Sequence, residues 1–156
     1  MHQEGKMDGC LFCDIHRGMI PAVGGPIYED DLVYAHHYHF HAEEESTYLG
    51  HLMLETKRHA PGFADLTPAE ARAVGLLITR LSGALKAAAG AEKVYAVFYG
   101  EVIPHLHVHL TARYPDTPAA YLRWNIEDWP DTPRGGVDEI VALCSRLRSS
   151  LADSPS

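Results

Sequence analysis

The stretch from Thr67 to Gly90 constrains the fold more than any other part of the chain. Thr67-Pro68-Ala69-Glu70 has the form of a capping box with proline at the first helical position. Val74, Leu77, Ile78, Leu81 and Leu85 then recur at helical spacing, and Gly90 supplies the stop. These signals predict one amphipathic helix of about five or six turns. Such a helix must bury its apolar stripe against another layer.

Segments of strand character surround it. Ile27 to Glu29 and Leu32 to Phe40 read as two strands, with Glu29-Asp30-Asp31 as the turn between them. Tyr48 to Glu55 reads as a third strand, apolar on both faces. Lys93 to Tyr99 and His105 to Arg113 read as two more, separated by a short turn containing Gly100. Ile140, Leu143, Cys144 and Leu147 make the buried face of a final helix, which assigns Cys144 to the core. Between them, Tyr114 to Gly136 carries four prolines and both tryptophans and reads as an ordered tail wrapping the core.

The expected fold class is therefore α+β: a five-stranded antiparallel sheet, its strands mostly in sequential order, around one long helix. A length of 156 residues suits one hydrophobic core. The expected boundaries are a flexible N-terminus over 1–9, a domain over 10–115, an extension packed on it over 116–150, and a flexible tail over 151–156.

Charge and hydropathy narrow the function. A net charge of −8 with histidines neutral argues against a general affinity for nucleic acid backbones. It leaves room for a small anionic ligand at a locally positive site. No apolar run approaches the ~20 residues needed to span a bilayer. Residues 1–9 lack the apolar centre of a signal peptide, so a cytoplasmic location is expected.

The eleven histidines are clustered. In His105-Leu106-His107-Val108-His109-Leu110 the alternation of a strand would place three imidazoles on one face and three apolar side chains on the other. A neutral imidazole can attack phosphorus if one ring nitrogen is free and the other is held by an acceptor. Three histidines can equally ligate a metal, or stay structural if every buried nitrogen finds a partner. Cys10-Leu11-Phe12-Cys13 offers two thiolates at a spacing that can clasp one zinc and leave two positions for nitrogen ligands. A redox role is the alternative, although no strand precedes the motif.

Taken in order, the Cys10–Cys13 pair, Gly50-His51, Lys57-Arg58-His59, Asp65-Leu66-Thr67, and Pro104 to Leu110 with Arg113 behind it resemble the histidine triad (HIT) family. The resemblance spans about residues 10 to 115. It implies that His107 attacks the α-phosphorus of a nucleotide and forms a nucleotidyl-histidine. His109 would line the phosphate site, and His51 would support the triad from the neighbouring strand. In zinc-containing relatives the two cysteines, the histidine after the third strand and the first triad histidine hold the metal. Here those are Cys10, Cys13, His59 and His105, a closed structural zinc set. Family members are commonly homodimers.

Two departures bear on the substrate. The family usually places a glutamine followed by serine or threonine just before the triad, where this chain has Glu101-Val102. It also usually has an aspartate near the end of the second strand to hold the ribose. Here the chain reads His36-His37-Tyr38-His39-Phe40-His41, followed by Glu43-Glu44-Glu45. His37, His39 and His41 alternate, and the reading is an exposed or partly exposed cluster at a strand end. Substrate contact, with His37 the candidate, and a second metal site are the alternatives. Glu101 is the second candidate for substrate contact.

The expected function is hydrolysis of a nucleoside phosphate ester, phosphoramidate or dinucleoside polyphosphate through His107. A nucleotidyltransferase or phosphorylase would use the same intermediate with another acceptor. A zinc-stabilised nucleotide-binding module with weak turnover is the rival from another class. A small-molecule nucleotide is the expected partner, without nucleic acid or membrane.

Overall fold

The computed structural model describes residues 9–38 and 44–154. In chain order it contains helix α1 (Leu11–His16), strands β1 (Tyr28–Glu29), β2 (Val33–His37), β3 (Thr47–Tyr48) and β4 (His51–Thr56), and helix α2 (Pro68–Ala89). Strands β5 (Lys93–Val97), β6 (His107–Arg113) and β7 (Arg134–Gly135) and helix α3 (Val137–Asp153) follow. Five strands form an antiparallel sheet in the order β1-β2-β4-β6-β5, while β3 and β7 pair separately. The α+β class and the five-stranded sheet are those expected from the sequence.

The long helix begins where its capping box lies. The Glu70 N–H donates to Thr67 Oγ1 at 3.1 Å, and the Thr67 N–H donates to Glu70 Oε2 at 2.9 Å. Arg58, just past β4, forks onto the same carboxylate with two bonds of 2.8 Å. That hydrogen-bonded fork holds the Glu70 carboxyl down at about 2, against the pull of burial. The helix start is thereby tied to the end of a central strand.

Alternation then separates the two faces of the sheet. Leu52 lies opposite Leu110 and Leu54 opposite Val108, and these side chains pack with Val33 and Ala35 on one face. Val74, Leu77, Leu81 and Leu85 of α2 meet them, as do Ile140, Leu143 and Leu147 of α3. Each such buried side chain contributes roughly 1.5–3 kcal/mol. Cys144 is fully buried in this core, as the helical spacing predicted. The other face carries His107, His109, Met53 and Glu55, and Phe12 and Ile15 of α1 cover part of it by packing on Tyr34 and Met53.

Three boundaries differ from the expectation. The strand read over Tyr48 to Glu55 breaks at Gly50, whose φ of +96° suits glycine and where a Cβ would sit 2.5 Å from the Tyr114 hydroxyl. Tyr48 consequently pairs with β7, and β4 starts at His51. The link between β5 and β6 runs over 98–106 and is longer than the short turn expected, because both strands are shorter. Helix α3 continues to Asp153 and buries Leu151, so the flexible tail cannot start at 151. The residues assigned to a flexible N-terminus lie, apart from Gly9, outside the described residues, as do His39 and His41. Among the described residues no helix is long and apolar enough to cross a membrane.

Candidate active site and metal cluster

Strand β6 begins at His107, so the three triad imidazoles do not share one strand face as expected. The chain ahead of it bends: the His105 N–H donates to the Ile103 carbonyl at 2.9 Å and the Leu106 N–H to the Ala60 carbonyl at 2.7 Å. His105 is turned out of the row into a separate cluster.

That cluster gathers Cys10, Cys13, His59 and His105, whose ligand atoms all lie within 4.8 Å of one another. The Thr56 carbonyl accepts from His105 Nε2–H at 2.6 Å, which leaves the lone pair on Nδ1. His105 Nδ1 stands 3.4 Å from Cys10 Sγ, 3.5 Å from Cys13 Sγ and 3.2 Å from His59 Nδ1, and His59 Nδ1 lies 3.4 Å from Cys13 Sγ. A tetrahedral ion with metal–sulfur bonds of ~2.3 Å and metal–nitrogen bonds of ~2.05 Å has edges of about 3.6 Å between S and N and about 3.3 Å between N and N. The measured edges match that figure. Two thiolates and two imidazole lone pairs converging this closely repel one another unless a cation lies among them. The donor set fits a metal ion.

His107 is 9% exposed and held by one short bond, in which its Nδ1–H donates to the His105 carbonyl at 2.6 Å. The lone pair therefore resides on Nε2. Phe12 lies against the ring at 4.7 Å between centroids, and Phe98 meets it edge-on at 5.6 Å. Phe98 in turn folds over Gly100, where any Cβ would collide with its ring. Next along the strand, His109 is held neutral: burial, then the neighbouring His51 and His107, push its pKa down to about 4.

His51 is the diagonal neighbour of His109 across β4 and β6, and its Nε2 lies 2.9 Å from His109 Nδ1. Tyr38 stacks on the His51 ring at 4.5 Å with the planes 4° apart. On the far side of that ring, Glu127 Oε1 approaches His51 Nδ1 to 2.6 Å. Glu127 sits in a 3₁₀ turn over Arg123–Asp128. Burial would raise its pKa, but the contact with His51, with Arg134 and His109 adding to it, outweighs this and lowers it.

One residue behaves differently from the sequence reading. His37 is fully buried, with its Nε2 accepting the Gly50 N–H at 3.0 Å and its Nδ1 donating to the Tyr38 carbonyl at 2.6 Å. Burial lowers its pKa to about 4. It is a neutral structural clasp that fixes the turn before His51, which corrects the expectation of an exposed side chain and leaves neither ring nitrogen open for the alternative, substrate contact. His36 is buried against the fully buried Glu55, with Nε2 2.8 Å from Oε1. Burial opposes a charge on His36, yet Glu55 outweighs it and raises the pKa above 6.5. His16 completes the arrangement at 3.3 Å from the same oxygen. Glu101 is exposed on the 98–106 link, beside a Val102 that is 92% exposed.

Glu55 and Glu127 escaped the sequence reading. Period-two counting along β4 could have found the first, since 51, 53 and 55 share a face. Nothing local to 123–128 signals the second.

An antiparallel α+β sheet bearing a buried, backbone-held imidazole beside a Cys₂His₂ cluster narrows the class to histidine-based proteins. A family model described as the HIT domain matches residues 25–116, more than half of the chain, and the chain belongs to that family. The membership supports a nucleotide-related function. Comparison with curated proteins found no match. Among solved structures the chain is similar to a Hit-like protein involved in cell-cycle regulation from Bartonella henselae, at 21% identity, 94% coverage of this chain, 99% of that one, and a TM-score of 0.68. It is similar to a Zn-bound histidine triad family protein from Mycobacterium smegmatis at 20% identity, covering 92% and 94% with a TM-score of 0.66. A HIT family hydrolase from Clostridium thermocellum aligns at 20% identity over 72% of this chain and 97% of that one, with a TM-score of 0.54.

Proposed function

We propose that the protein is a nucleotidyl hydrolase, acting on a nucleoside phosphate ester, phosphoramidate or dinucleoside polyphosphate through a covalent intermediate on His107. The bond from His107 Nδ1–H to the His105 carbonyl carries this reading, because it leaves a lone pair on Nε2 of a largely buried, packed ring. Nε2 attacks the α-phosphorus, the bond to the leaving group breaks, and the leaving group departs with its electron pair and takes up a proton. Water then cleaves the phosphorus–nitrogen bond and restores the imidazole. His109 and His51 line the phosphate side. The hydrolase description of the Clostridium thermocellum relative is in keeping with this chemistry.

Cys10, Cys13, His59 and His105 would hold zinc. Bound there, zinc contributes folding energy by closing the N-terminal segment onto the sheet, and the four protein ligands leave no position for water. A cytoplasmic homodimer is the expected setting.

The test is transfer of label. A nucleotide ester labelled at the α-phosphoryl group, mixed with enzyme and quenched in alkali, is expected to leave acid-labile, base-stable label on His107. Turnover of substrate with no protein-bound label, even in rapid quench, would sink the covalent route. Binding without turnover would favour the rival nucleotide-binding module.

Glu101 is proposed to approach the leaving group when substrate fills the site. A carboxyl group donates a hydrogen bond only while it holds its proton, whereas an amide donates at every pH. Glu101→Gln is therefore expected to keep activity within about threefold and to flatten the alkaline fall of the pH–rate profile. Superimposable profiles for wild type and variant would place Glu101 away from the chemistry.

A further inference from the structure

We propose that Glu127, beyond the matched HIT region, is a positioning residue that acts through His51 to set the protonation pattern of His109. The family match ends at residue 116, and the carboxylate comes from the 3₁₀ turn that follows it. That turn is anchored: Ile126 is buried, and the Arg123 N–H reaches the Tyr95 hydroxyl on β5 at 3.3 Å. Glu127 is thus delivered by a fixed element to the flank of β4.

The chemistry follows from proton placement. An ionised carboxylate oxygen 2.6 Å from a ring nitrogen is tolerable only if that nitrogen bears the proton, even though the oxygen lies off the N–H axis here. A neutral His51 therefore carries its one proton on Nδ1. Its Nε2 becomes an acceptor and takes the Nδ1–H of His109 at 2.9 Å. Nε2 of His109 is left with a lone pair. Without the carboxylate, the buried Nδ1 of His51 loses its facing anion, and among the described residues no other group facing that nitrogen selects one ring tautomer over the other.

A His109 so poised can take the proton of the water that cleaves the phosphorus–nitrogen bond on His107, its ring neighbour at 5.3 Å. The water oxygen forms the new bond to phosphorus, and the electron pair of the broken bond returns to His107 Nε2. The proton resides on His109 Nε2, and the charge is shared with His51 and countered by Glu127. The hydrolytic role rests on the function proposed above; the tautomer assignment does not.

The experiment joins both. Glu127→Gln is expected to lower kcat roughly ten- to hundredfold with KM changed less than about threefold, and to increase the labelled intermediate at steady state. Glu127→Asp, which keeps the charge, is expected to recover part of the rate. In a His51→Gln background Glu127→Gln should add no further loss, since its action runs through that ring. An additive loss there, or wild-type rates for Glu127→Gln, overturns the proposal. Nitrogen NMR of the imidazoles supplies a readout free of turnover. A change in the His51 and His109 tautomers on Glu127→Gln supports the positioning role even if no substrate is hydrolysed, and unchanged tautomers overturn it.

Discussion

His107→Ala is expected to lower turnover by about four orders of magnitude while the protein keeps its metal and its thermal midpoint within a few degrees. The size follows from the position of the ring. It is the one triad imidazole held by a main-chain carbonyl through Nδ1 with Nε2 left to react, while His105 is committed to the cysteine cluster and His109 to His51. No neighbour can replace the lost nucleophile from where it stands. The fold should tolerate the change because His107 faces Phe12 and Phe98 on the side of the sheet away from the main core. The variant should also fail to take up label from a nucleotide ester. By contrast, His39→Ala and His41→Ala are expected to change activity only modestly. A loss at His39 as deep as that at His107 would mean that the wrong histidines have been assigned to the chemistry.

Zinc removal is expected to have the largest effect on stability. The purified protein should carry about one zinc per chain, bound by two sulfurs and two nitrogens. Chelation should lower the thermal midpoint by on the order of 10 °C, because binding energy at a closed site is folding energy. Cys10→Ser should lose the metal and that stability together. Cys144→Ala should keep the metal and cost about 1–2 kcal/mol of packing. Protein prepared without chelators and found free of zinc would remove the metal assignment; in that case the close approach of the four donors would need protons on at least some of them.

Much of the architecture was legible because it depends on local patterns. The capping box, the spacing of Val74 to Leu85 and the closing glycine place α2 within a residue, and the sheet strands fall largely within the segments read as strands, with shorter bounds. The four cluster residues implied by the family resemblance do come together in space. What was not legible depends on partners distant in sequence. His36 and His37 look like a solvated strand end beside three glutamates, yet β2 lies between β1 and β4, and each ring is received by a group on another stretch, Glu55 in one case and Gly50 in the other. His105 leaves the triad row because Leu106 bonds to Ala60, a pairing that no local pattern announces. Glu127 meets His51 only because an irregular, proline-flanked turn is pinned in place by Ile126.

The spacing of the cluster ligands along the chain sets an order of events during synthesis and folding. Cys13 meets His59 across 46 residues, and Cys10 meets His105 across 95. A ribosome must release the chain past residue 105 before the full set can exist, by which time β2, β4 and α2 have already left the tunnel. Doubling a loop adds only about 0.6 kcal/mol of closure entropy, so the longer clasp is late for reasons of timing rather than cost. Until it shuts, two thiols ride on a free N-terminal segment, open to oxidation or to capture by the wrong ion. The nascent chain thus passes through an interval of chemical vulnerability whose length is set by the rate of translation, and which capture of the proposed zinc would end.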